Sequence, residues 1–177
     1  MKSSKLVKVL VPVLMICVVA GIWFTQNQEA EVQEKEESLA AAKTEFPLNI
    51  TSVDLEALAE HELPIIIDFG ADECVPCKQM APVLVTLNEE MQGKAIIQFV
   101  DVWKSPWVAT NFPIQVIPTQ MLVNADGTPY VPSDEIASVL EFMMHTDHET
   151  EKHIFTTHQG GLTEDQMRLI LADMGVE

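Results

Sequence analysis

The chain has 177 residues, carrying 27 acidic against 10 basic side chains and a formal net charge of −17. That length supports one domain with a sizeable core once a leader is set aside. So acidic a surface repels the phosphates of nucleic acid and anionic headgroups, which excludes nucleic acid as an expected partner.

The leader reads in two parts. Lys2, Lys5 and Lys8 precede an uninterrupted apolar or small stretch from Val9 to Phe24, and Leu6 to Phe24 spans 19 residues. That is close to the roughly 20 residues that cross a bilayer, with Lys8 snorkelling to the interface. Basic residues before the span, and Glu29, Glu31, Glu34, Glu36 and Glu37 after it, predict an inside N-terminus and an outside domain. Residues 1–25 are thus expected to be a signal-anchor transmembrane helix and 26–45 an acidic tether. The alternative is a cleaved signal peptide ending at Val18-Val19-Ala20, which would make the protein secreted; Trp23 and Phe24 prolong the apolar segment past that point and favour the anchor.

Residues 46–177 read as one layered α/β domain of alternating strands and helices. Phe46 to Ile50 is expected to be an edge strand, and Thr51 or Ser52 to cap a helix carrying Leu55 and Leu58 that stops before Pro64. Ile65 to Phe69 is a β-branched run suited to a central strand buried on both faces. The next helix carries Cys77, Met80, Val83, Leu84 and Leu87, with a kink expected at Pro82. Ala95 to Val102 predicts a strand, Trp103 to Pro113 a short helical segment, and Gln120 to Asn124 a strand closed by the Ala125-Asp126-Gly127 turn. Ser133 to Met144 has helical spacing. His145 to Lys152 reads as a surface turn, His153 to Thr157 as a strand, and Thr163 with Gln166 as the capping box of the last helix.

The chemistry concentrates at Cys74-Val75-Pro76-Cys77, between a strand and a helix. Unpaired N–H groups at a helix N-terminus stabilise a thiolate at the first cysteine, and the two-residue spacer lets the second thiol reach the same sulfur. Pro76 costs little in a first helical turn and stiffens the spacer. A zinc site would need a second Cys or His pair; none follows at a suitable spacing, and Cys17 stands alone in the leader. Asp68 is an acid within an apolar strand, where burial beside a thiol would raise its pKa and fit it to take a proton from Cys77; a partly exposed strand-end acid is the plainer alternative. His145, His148, His153 and His158 lack convergent spacing and read as scattered surface histidines. Trp103, Trp107 and Phe112 read as core or rim aromatics, with Trp107 also a candidate for substrate contact.

The run Asp68 to Lys78, joined to Val116-Ile117-Pro118-Thr119 and to Gly161-Leu162-Thr163, resembles the thioredoxin family, and specifically its membrane-anchored extracytoplasmic members in bacteria. The resemblance implies a three-layer sandwich, a mixed sheet flanked by helices, with an inserted helix before the last strand within about residues 131–152. It implies a protein-disulfide oxidoreductase with Cys74 as nucleophile, Cys77 as resolving cysteine, Asp68 as proton-transfer residue and Pro118 as a cis proline beside the disulfide. Substrate contacts are expected at Glu73, Val75, Pro76, Trp107, Ile117 and Pro118. Two departures stand out: Gly70 and Glu73 replace the family's usual aromatics, and Phe99 stands where many members keep a lysine. No nicotinamide, flavin or metal pattern appears, so electrons are expected to come from a membrane electron-donor protein, in a reductant or electron-transport role. A net oxidant or isomerase and a redox-inert adaptor or chaperone are the alternatives.

Overall fold

A computed structural model describes residues 45–177. In chain order it contains β1 (Asn49–Ile50), α1 (Leu55–Ala59), β2 (Ile65–Gly70), α2 (Val75–Glu90), β3 (Ile96–Asp101) and α3 (Pro106–Ala109). These are followed by β4 (Thr119–Val123), α4 (Asp134–Ala137), β5 (Met143–Thr146), β6 (His153–Gln159) and α5 (Glu164–Asp173). The strands form one sheet in the order β1-β3-β2-β4-β6-β5. β1, β3 and β2 are parallel, whereas β4, β6 and β5 each join antiparallel.

Strand alternation sorts the core into two layers. Ile65, Ile67 and Phe69 of β2 pack with Ile96, Val100, Met121 and Val123, joined by Leu55 and Leu58 of α1 and Val108 of α3. Ile66 faces the other way, with Ile97 and Leu122, into a cluster that includes Met80, Leu84 and Leu87 of α2 and Met167, Ile170 and Leu171 of α5. Asp68 lies two residues from Ile66, so the pleat turns it toward α2. Helices on both faces of a mixed sheet complete the three layers.

Several boundaries differ from the sequence reading. The first strand is only Asn49–Ile50: Pro47 has no N–H to donate, and the Phe46 carbonyl is taken by the side chains of Asn88 and Gln92. Asp54, not Thr51 or Ser52, caps α1, its carboxylate accepting from the Ala57 N–H at 3.1 Å. Helix α2, by contrast, runs past Pro82 to Glu90, as the expected helical positions of Val83, Leu84 and Leu87 require. The helix expected over 133–144 is corrected most: a single turn, Asp134–Ala137, is helical, and Met143–Thr146 is instead an edge strand paired with β6. Ladder hydrogen bonds to β6 outweigh the helical spacing there, and Val139 is exposed. His145 accordingly lies in β5, its Nε2 2.9 Å from the Thr157 hydroxyl, rather than in a turn. The capping box at Thr163 and Gln166 is present, with both reciprocal hydrogen bonds.

Among the described residues no helix is long and apolar enough to cross a membrane; the Leu6–Phe24 segment and residues 26–44 of the tether lie outside them.

Candidate active site

Cys74 is the N-cap of α2 and Val75 and Pro76 form its first turn. The extended backbone at Cys74 sets its side chain across the open helix end, so the Cys77 N–H points at Cys74 Sγ, 3.4 Å away. Cys74 and Cys77 are joined as a disulfide, with Cα atoms 5.2 Å apart. Both are largely enclosed, Cys74 at 8 % exposure and Cys77 at 4 %.

The loop before Cys74 is pinned to the end of β3. Val102 donates its N–H to the Gly70 carbonyl at 2.9 Å, and the Asp72 N–H donates to Asp101 Oδ2 at 3.1 Å. Asp101 also accepts from the N–H groups of Trp103 and Lys104, and Lys104 reaches back to Asp72. Burial would raise the Asp101 pKa, but these donors and the Lys104 ammonium hold it below the usual carboxylate range. Neither Asp101 nor Lys104 stood out in the sequence, because a polar loop end looks like any solvated turn.

On the other side of the sulfurs lies the segment before β4. The Ile117–Pro118 peptide bond is cis, and the Ile117 carbonyl oxygen is 3.9 Å from Cys74 Sγ. A disulfide sulfur has no proton to donate, so this is a contact rather than a hydrogen bond. Ile117 packs with Ala71, Cys74 and Cys77 in a small apolar cluster. The loop before α5 closes a third side, Gly161 lying beside the Pro76 carbonyl.

Beneath Cys77, Asp68 is fully buried in the middle of β2. Burial raises its pKa from 3.8 to about 7, against a smaller opposite pull from a hydrogen bond donated by Gln120 Nε2 to Oδ1 at 2.6 Å. The partly exposed acid considered from sequence is therefore replaced by an enclosed one. Gln120 is the residue that sequence reading missed. Its signal was a lone amide in the strand Thr119–Val123, but its partner is set by register, which pairs Asp68 with Phe99 on β3 and with Gln120 on β4. A cavity of about 170 Å³ opens beside Cys77, lined partly by Ala71, Ala81, Leu84 and Phe99.

The remaining expected contacts surround the pair unevenly. Glu73 is exposed and faces Lys78 at 3.5 Å, a solvated ion pair. Val75 is exposed at 66 %, Pro76 is exposed and Ile117 half-buried. Trp107 is exposed on α3 and lies outside the apolar cluster around the disulfide. Phe112 is not a rim residue but packs between Phe69 and Phe155. Among the described residues no group of His, Cys, Asp and Glu is placed to hold a metal ion.

The site thus combines a disulfide at a helix N-terminus, an X-Pro cis bond against it and a buried acid beneath it. The thioredoxin family model matches residues 48–143. The chain belongs to the thioredoxin family. Thioredoxins from Staphylococcus aureus strains Mu50 and MW2 are each 34 % identical to it over 100 residues, covering 53 % of this chain and 94 % of theirs. The structure of chloroplastic thioredoxin z is similar in fold, with a TM-score of 0.51 and 23 % identity over 73 % of this chain and 95 % of that one. As a thioredoxin-family protein with a proximal cysteine pair, it is a protein-disulfide oxidoreductase acting on protein disulfides.

Proposed function

We propose that this thioredoxin-family chain is a membrane-tethered, extracytoplasmic oxidoreductase that acts as a net reductant or electron relay. The observation that carries the exchange chemistry is the Cys77 N–H aimed at Cys74 Sγ at the open end of α2. A backbone donor and the positive helix end favour thiolate at Cys74 once the pair is reduced.

In the reducing direction, the Cys74 thiolate attacks one sulfur of a substrate disulfide. A Cys74–substrate bond forms, the substrate bond breaks, and its far sulfur leaves as a thiolate that takes up a proton. Asp68 then accepts the proton of Cys77, and the Cys77 thiolate attacks Cys74 Sγ. The Cys74–Cys77 bond forms and the second substrate sulfur departs. The substrate is reduced by two electrons and the dithiol oxidised by two. Ile117, with its carbonyl beside Cys74 Sγ, suits antiparallel pairing with a substrate strand, and exposed Val75 and Pro76 border the same approach. The Val-Pro spacer contains no histidine to stabilise the thiolate strongly, which supports the reducing direction. A membrane electron-donor protein would return the dithiol, because the sequence carries no nicotinamide or flavin pattern. The basic flank and apolar run of Leu6 to Phe24 support the tether and an outward-facing domain.

Trapping in bacterial cells tests the reading. Full-length Cys77→Ser protein should accumulate in the membrane fraction as mixed disulfides with exported proteins, and these should vanish when Cys74 is also replaced. Adducts with cytosolic proteins alone would refute the placement, and adducts indifferent to Cys74 would refute the mechanism. Equilibration with glutathione sets the direction: a potential of about −270 mV supports the reductant and one of about −120 mV the oxidant.

A further inference from the structure

Asp68 and Gln120 face each other across the β2–β4 ladder, both fully buried. Gln120 Nε2 occupies Asp68 Oδ1 at 2.6 Å and lies 3.5 Å from Met80 Sδ. The other carboxylate oxygen, Oδ2, is buried without a hydrogen-bond partner. Gly70 shows where that oxygen lies. A Cβ built on Gly70 would stand 3.3 Å from Asp68 Oδ2 and 3.3 Å from Cys77 Sγ, so the two atoms are at most twice that distance apart. Nothing of residue 70 fills the space between them. The Phe99 ring closes it from β3, with Cε2 2.8 Å from the same point.

We propose that Gln120 is a positioning residue of disulfide exchange: its amide holds one Asp68 oxygen from β4 and so keeps the other turned to Cys77 across the gap at Gly70. The inference rests on the exchange reading above. A carboxylate has a broad, two-fold χ2 torsion and interchanges its oxygens unless something holds one of them. Proton transfer from a thiol needs a single lone pair aimed at the sulfur. A donor to the ionised carboxylate also favours that form, the form able to accept the Cys77 proton.

Few other charges reach the pair. From α2 the titratable group facing Asp68 is Cys77 itself, and Met80 beside it is uncharged. Phe99 from β3 and Gln120 from β4 bring no charge. His158 is the next titratable residue on that face, opposite Gln120 on β6, and its Nδ1 pairs with the Glu141 carbonyl at 2.8 Å. Lys78, Glu73 and Asp72 stand at the surface.

The test uses the full chain carrying Cys17→Ser, so that Cys74 and Cys77 are its only thiols, reduced and in detergent and reacting with the chromogenic disulfide dithiobis-nitrobenzoate. Attack by Cys74 releases a first coloured thiolate at a rate set by reagent concentration. Attack by Cys77 on the mixed disulfide releases a second at a rate independent of it. Gln120→Met should move the pH midpoint of the second phase upward by about one unit and leave the first phase in place. Asp68→Asn should remove that midpoint, and Gln120→Met added to it should change nothing further. Gln120→Asn, an amide one methylene shorter, should shift the midpoint in the same direction by less. His158→Gln should leave it unmoved. An unshifted midpoint in both Gln120 variants, or a shift that persists without Asp68, overturns the positioning role. Loss of both phases in the Cys17→Ser chain itself would instead overturn the exchange reading.

Discussion

Asp68→Asn should stabilise the oxidised protein at neutral and alkaline pH while altering it far less in acid. Burial holds the folded-state pKa at about 7, against 3.8 for an ordinary aspartate. Below pH 3.8 both folded and unfolded chains carry the proton, and Asp68 contributes no pH dependence. Between 3.8 and about 7 the unfolded chain releases the proton that the folded chain keeps, so stability falls as pH rises. Above about 7 the loss is complete and constant. A gap of about three pH units, at about 1.4 kcal/mol for each, makes that loss about 4 kcal/mol. Asparagine has no charge to desolvate, so the gain from Asp68→Asn should be larger at pH 8 than at pH 4 by about 2–4 kcal/mol. Comparing the two pH values cancels any fixed cost of placing a new amide beside Gln120. Urea denaturation of the oxidised wild type and variant at each pH measures the difference directly from the midpoints at unchanged m. Parallel stability curves across pH 4–8 would refute the desolvation argument, because an Asp68 that ionises freely in the fold imposes no such penalty.

Two further predictions concern packing and capping. Gly70→Ala would bring a methyl within 2.8 Å of the Phe99 ring, an overpacking cost of about 1–3 kcal/mol that exceeds the 0.5–1 kcal/mol or so gained by replacing a strand glycine. In urea denaturation the variant should be less stable, and Phe99→Leu should recover part of the loss, so that strictly additive single and double variants would contradict the close approach. Thr163→Ala removes the side-chain acceptor for the Gln166 N–H at the start of α5 and should cost about 1 kcal/mol; a change within a few tenths would show that water replaces the cap without loss.

The local sequence carried the chemistry of this site because that chemistry is local. A strand, two cysteines three positions apart and a helix start place a sulfur at an open helix end whatever the rest of the fold does. The Thr163–Gln166 capping pair likewise acts on its own neighbourhood, so its position was legible. The helix expected over 133–144 failed for the opposite reason. Its apolar spacing recorded which residues face inward, as buried Ile136 and Leu140 show, but not whether the backbone of Met143–Thr146 bonds within itself or to β6. That choice belongs to a strand partner seven to fourteen residues away.

The environment of Asp68 was decided in the same non-local way. The sequence by itself determined the redox pair, the α/β layering and an acid in an apolar strand. Only the tertiary structure decided that β3 and β4 flank β2, in a register that sets Phe99 on one side of Asp68 and Gln120 on the other. Strand pairing is set by contacts summed over both faces of the sheet, and a shift by one residue would turn Asp68's neighbours to the opposite layer. The residue that holds the carboxylate is therefore invisible until the sheet is assembled, although every amino acid involved is in plain view along the chain.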